Sequence, residues 1–200
     1  MSEMEAAVNA AEAYSHIRAV MGMVVGLSLA RLLTGLAGFV QHPKKERIYP
    51  IHLGWVAFLF LMLVHFWWWE HRLAASNHIL GFGAFLFLIL FCSLFYFLCV
   101  LLFPTEMKEY KGYDDYFFSR KSWFFAFLSA LFFTDIGDTL LKGHVYFASL
   151  GPEYLIRTAI YVVLFTLAIF IDNRRFHRFL VIFALVYQIA WIFRTYDLLA

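Results

Sequence analysis

Long apolar runs alternate with short polar interruptions along the whole chain. Six apolar stretches can be marked, at about 15–40, 51–73, 79–103, 117–141, 153–172 and 177–197. Each approaches the roughly 20 residues that a helix needs to cross the hydrocarbon core of a bilayer. The four prolines fall at the connections: Pro43 and Pro50 frame the first, Pro104 opens the third and Pro152 precedes the fifth stretch. That is where a residue unable to continue a helix belongs. The pattern predicts an all-α integral membrane protein, a bundle of about six transmembrane helices forming one domain over residues 1–200.

The stretches are not alike. The third, "GFGAFLFLILFCSLFYFLCVLLF", carries no charged residue and is apolar all round, which suits a lipid-facing position at the edge of a bundle. The first, "IRAVMGMVVGLSLARLLTGLAGFV", has Gly22 and Gly26 in a GxxxG pair, and Ser28, Arg31, Thr34, Gly35 and Gly38 on a second small and polar face. Two such faces imply close neighbours on both sides. The first helix is therefore expected at the centre of the bundle or at a contact between subunits, with Gly22, Gly26, Gly35 and Gly38 as its packing positions.

Composition removes the soluble alternatives. The chain is 63% hydrophobic and 15% charged, against about half and about a quarter in an ordinary soluble domain. Twenty-five Phe and six Trp exceed what one small soluble core could cover. The net charge of +2 comes without a basic stripe, so no nucleic-acid partner is expected. The first residues carry Glu3, Glu5 and Glu12 and no early Lys or Arg, unlike the basic start of a signal peptide. Cys92 and Cys99 are seven apart on one stretch, roughly 10 Å along a helix, too far for a disulfide. They read as small apolar side chains.

Lys and Arg set the orientation. Lys44, Lys45 and Arg47 lie in the first connection, Lys108, Lys111, Arg120 and Lys121 in the third, and Arg174, Arg175 and Arg178 in the fifth. The intervening connections hold only Arg72, Lys142 and Arg157. By the positive-inside rule the basic connections face the cytoplasm and both termini lie outside it, as in a bacterial inner-membrane protein.

With a direction assigned to each helix, a rise of about 1.5 Å per residue gives every charge a depth. His16, Arg18, His65, Glu70, Asp135, Asp138, Lys142, Arg157, Arg194 and Asp197 all fall in the outer half. Trp67, Trp68 and Trp69 of "HFWWWEHR" fit the outer aromatic belt. In "FFTDIGDTLLKG", Asp135 and Asp138 share a helix face and Lys142 follows Asp138 by four. Charges at membrane depth are costly and usually pair or line water. Two arrangements fit: an ion or proton pathway through Asp135, Asp138, Glu70 and His65, and an ion-pair network through Arg18, Lys142, Arg157 and Arg194. Arg31 lies nearer the inner end, where it would snorkel, pair with Asp172 or stand at the end of the route.

The leading expectation is a homo-oligomeric pore or carrier for a small ion or proton, with an outward-facing polar vestibule. Its partners would be the lipid bilayer, further copies of itself and other membrane subunits. A non-catalytic accessory or assembly subunit of a larger membrane complex is the rival. A haem- or metal-binding membrane protein comes third: His52 or His65 with His16 or His144 would hold a haem, or His65 with Glu70 and the aspartates a metal. No resident cofactor is assigned. The chain has no HExxH, no Gly-rich phosphate loop and no GxSxG elbow, and no catalytic residue is assigned.

Overall fold

The computed structural model describes residues 3–42, 48–75 and 81–197, and these contain helices and no strand. In chain order the helices are α1 (Glu3–Gln41), α2 (Pro50–Trp69), α3 (Phe82–Leu102), α4 (Tyr113–Leu141), α5 (His144–Ser149), α6 (Gly151–Phe170) and α7 (Arg174–Asp197), with a 3-10 turn at Glu70–Ala75 continuing α2. Six of them, all but α5, are long and apolar enough to cross a membrane. Each apolar stretch of the sequence falls on one of these six. The ends differ where polar residues extend a helix. α1 begins well before residue 15, through an Ala- and Glu-rich segment of strong helix formers. α4 begins at Tyr113 and takes Asp114 and Asp115 into its first turn, where acids complement the helix dipole. Pro43, Lys44, Lys45 and Arg47 lie outside the described residues. Gly143 at φ +113° and Gly151 at φ +67° make the sharp reversals that join α4, α5 and α6, in a backbone region that L side chains avoid.

α2 is the hub, packing against α1, α3, α4 and α7, while α4 packs along both α3 and α6. The expected ranking of the first and third helices is reversed. Of the spanning window of α1, 17% is buried, against 44% for α2 and 39% for α3, so α1 lies at the side of the bundle. α3 buries Leu88, Phe91, Cys92, Phe95, Leu98 and Cys99, and the two cysteines are unpaired. Lack of charge does not distinguish lipid from interior, because the inside of a membrane bundle is as apolar as the tails outside it. The small residues of α1 divide accordingly. A Cβ at Gly22 would lie 2.9 Å from the Trp67 ring and one at Gly35 would overlap the Phe103 ring, whereas Gly26 and Gly38 face open space.

Aromatic rings fill the middle of the bundle. Trp55 and Phe58 of α2, Phe124, Phe125 and Phe132 of α4, and Tyr161 and Phe165 of α6 are all at most 2% exposed. Trp55 meets Phe58, Phe124, Phe125 and Phe165 at centroid distances of 5.3–5.8 Å, and Phe132 meets Tyr161 at 4.6 Å. These spacings match the preferred range for aromatic pairs. The Tyr161 hydroxyl donates to the Ala184 carbonyl at 3.3 Å, tying α6 to α7.

At one end of this layer, basic side chains serve the last carbonyls of two helices, which no helical N–H can reach. His52 Nε2 lies 2.6 Å from the Leu102 carbonyl and Arg31 donates to the Phe103 carbonyl at 2.5 Å. Lys121 donates to Ala168 and Ile169 at 3.3 and 2.5 Å, and His177 meets the Ile171 carbonyl at 2.7 Å. Two expectations change here. Arg31 caps α3 and does not pair with Asp172, whose partner is Lys121 at 3.1 Å. Lys121 is a buried residue inside α4, held there by the negative end of α6.

The glycine geometry predicts that Gly35→Ala, which forces the Phe103 ring aside, lowers stability by about 1–3 kcal/mol. Gly38→Ala, with nothing within 4 Å of the added carbon, should change it by less than about 0.5 kcal/mol. Unfolding of the detergent-solubilised variants checks the contrast.

Candidate functional site

At the opposite end, the 3-10 turn after α2, the end of α4, the start of α6 and the end of α7 converge on a buried polar cluster. Lys142 Nζ lies 2.5 Å from both Glu70 Oε1 and Asp138 Oδ2, and the three side chains are 1–3% exposed. Local structure explains the meeting. Asp138 and Lys142 are four apart, on one face of α4 and its C-cap. Glu70 arrives because α2 ends at Trp69 and Glu70 caps it, its N–H bonded to the Phe66 carbonyl. The Tyr14 hydroxyl of α1 donates to the Glu70 carbonyl at 3.4 Å. Burial pulls the Lys142 ammonium toward losing its proton, but the charges and hydrogen bonds of Asp138 and Glu70 outweigh it and hold its pKa above the ordinary lysine range.

A second limb starts one turn earlier on α4. Tyr154 of α6 donates its hydroxyl proton to Asp135 Oδ2 at 2.9 Å, and the Thr139 hydroxyl lies 2.9 Å from the same Tyr154 oxygen, as donor. Three residues along α6, Arg157 places its guanidinium 4.3 Å from the centre of the Trp191 ring. It is 7% exposed, and its Nε and Nη1 have no hydrogen-bond partner among the described residues. The Gln188 amide of α7 lies 3.2 Å from His65 Nδ1.

His65, Asp135, Asp138, Lys142, Tyr154 and Arg157 wall one cavity, whose apolar side includes Phe66, Phe91, Phe95 and Trp191. Its free volume of about 50 Å³ is room for about three to five waters at 10–15 Å³ each. A haem does not fit that space, and His52 Nε2 is already engaged by the Leu102 carbonyl. Among the described residues no three His, Cys, Asp or Glu side chains are grouped as metal ligands would be.

Asp135, Asp138, Glu70, His65, Lys142 and Arg157 are thus brought together, and other residues singled out from the sequence are not. Arg31 is at the far end of the bundle on the Phe103 carbonyl. Arg18 stacks over Trp67 at 5.5 Å, and Arg194 pairs with Glu153 at 2.7 Å on an exposed surface. The expected network of four cations is therefore split into separate contacts. The three tryptophans also separate. Trp67 covers Gly22, Trp68 is 59% exposed and Trp69 packs 5.4 Å from His65 on the cavity wall.

Sequence reasoning missed Thr139, Tyr154, Gln188 and Trp191. Gln188 carried a signal, being a lone amide in an apolar helix. Tyr154 and Trp191 carried none, since aromatic residues occur on every helix of this chain. No family model, curated protein or solved structure matches the chain.

Removing the shared cation strands two buried carboxylates. Lys142→Met is expected to cost about 3–5 kcal/mol. Adding Glu70→Gln and Asp138→Asn to it should recover most of the loss, because no unpaired charge then remains. Denaturant unfolding of the single and triple variants decides whether charge or shape carries the effect.

Proposed function

We propose that this membrane protein is a carrier for protons or small monovalent cations, with the cluster of Glu70, Asp138, Lys142 and Asp135 as its binding site. The observation that carries this reading is the charge balance of a buried side-chain cluster. Asp135 and Asp138 line the cavity with Lys142 and Arg157, and Glu70, bonded to Lys142, joins them as a third carboxylate. Fully ionised, the group holds one net negative charge in surroundings that stabilise charge poorly. One proton or one monovalent cation makes it neutral.

Two further features support a carrier over an open pore. The cavity is small, and the ring layer of Trp55, Phe124, Phe125, Phe132, Tyr161 and Phe165 lies between it and the other end of the bundle. A bound ion passes only when the helices rearrange around those rings. The basic residues Arg120, Lys121, Arg174, Arg175 and Arg178 cluster at the far end, and by the positive-inside rule that end faces the cytoplasm. The cavity then opens outward.

The test is proton and cation flux into liposomes containing the purified full chain. Wild-type protein should carry a proton or monovalent-cation gradient, and Asp135→Asn with Asp138→Asn should reduce the flux at least tenfold while the protein stays folded. Equal flux in the double variant removes the acids from the mechanism. No flux in any gradient from folded wild-type protein overturns the carrier and favours an accessory subunit of a larger membrane complex.

A further inference from the structure

We propose that Arg157 anchors a small carboxylate with a short apolar tail, bound in the same cavity together with a proton. The inference rests on the reading that the acidic cluster holds the proton, and it adds the substrate class.

The starting observation is the state of the Arg157 side chain. A guanidinium keeps its charge under all ordinary conditions, and a buried hydrogen-bond donor left without an acceptor is destabilising. Arg157 is 7% exposed, yet its Nε and Nη1 have no hydrogen-bond partner among the described residues. The other cation in the cavity is different. Lys142 already donates to two charged acceptors, Glu70 and Asp138, which balance its charge. Arg157 rests on the Trp191 face at 4.3 Å, which holds the guanidinium in place and leaves its edges for an acceptor. Arg is also the side chain whose planar donor fork best fits a carboxylate.

The walls define the rest of the ligand. Phe66, Phe91, Phe95 and Leu131 supply apolar lining beside the polar groups, suited to a few methylene groups. Room for about three to five waters accepts a short aliphatic acid and excludes sugars and nucleotides.

Charge balance supplies the coupling. Among the described residues, His65 of α2, Asp135 of α4, Glu153, Tyr154 and Tyr161 of α6 and Tyr187 of α7 share the field of Arg157. An anion added alone would raise the net negative charge of the cavity. An anion that arrives with a proton leaves that charge unchanged: the carboxylate oxygens accept from Arg157, and the proton goes to a carboxylate of the acidic cluster.

The direct test is titration of the full chain in lipid nanodiscs with sodium butyrate, read by tryptophan fluorescence, since Trp191 is stacked on the anchoring group. Proton uptake is followed with an indicator dye in weak buffer. Wild-type protein should show a saturable change with about one proton taken up per butyrate bound. Arg157→Lys should weaken binding at least tenfold and Arg157→Gln should abolish it, while Arg194→Gln leaves it unchanged. Inorganic phosphate, chloride and butylamine should give no saturable change.

Three results overturn the proposal: no saturable butyrate signal from folded wild-type protein, equal binding in Arg157→Gln, or phosphate binding as well as butyrate. Binding without proton uptake overturns the coupling. Proton flux in liposomes that depends on Asp135 and Asp138, with no butyrate binding, removes the carboxylate and leaves the carrier standing. Arg157-dependent butyrate binding with no flux of any kind does the reverse.

Discussion

A single buried ammonium holds the polar end of this bundle together. Lys142 Nζ bridges Glu70, at the end of α2, and Asp138, in the last turns of α4. Each of these charges is costly to take out of water and is tolerable only because the other two are in place. The bridge has consequences beyond its own atoms. By capping α2 where it does, Glu70 turns the chain into the 3-10 segment and leaves Trp69 against His65 and the cavity. By placing the last turns of α4, the bridge also sets Asp135 and Thr139 opposite Tyr154 of α6. The cavity is a product of that closure.

Between the two polar ends, the helices are held apart by rings. Trp55, Phe58, Tyr161 and Phe165 link α2 to α6 across the bundle, and Phe124, Phe125 and Phe132 of α4 close the gaps. Lipid gives helices no hydrophobic reason to associate, so contact area and shape must hold them together. Large flat side chains supply that area at a wider helix spacing than Gly or Ala would. A layer of this kind also separates the cavity from the far end of the bundle, which is why passage through the proposed site calls for movement of the helices.

The two ends use charge differently. At the basic end, His52, Arg31, Lys121 and His177 are spent on backbone carbonyls, mostly at the C-terminal ends of α3 and α6. At the other end, side chains answer side chains around a cavity. The first arrangement is explained by helix capping alone. Among the described residues the first leaves His52 Nδ1 and His177 Nδ1 without a partner, while the second leaves atoms of charged groups so: Glu70 Oε2, Asp138 Oδ1 and Nε and Nη1 of Arg157. That surplus directs the functional reading to the cavity and away from Arg31.

The sequence by itself determined the class of the molecule, its six helices long and apolar enough to cross a membrane, and the acids of α4 on which the polar cluster is built. Periodicity, run length and residue depth along a helix are one-dimensional quantities, and they are readable without knowing any neighbour. The pairing of Asp138 with Lys142 was legible for the same reason, being a spacing of four on one helix. The tertiary structure alone decided that α3 is interior and α1 peripheral, because lipid and a membrane-protein core are chemically alike and hydropathy cannot separate them. It alone joined Glu70 to Lys142, separated Arg18 and Arg194 from the cluster, and set Tyr154 and Trp191 on its walls. Those contacts depend on how helices distant in sequence rotate against one another, which ring packing in the middle of the bundle fixes and no local pattern encodes.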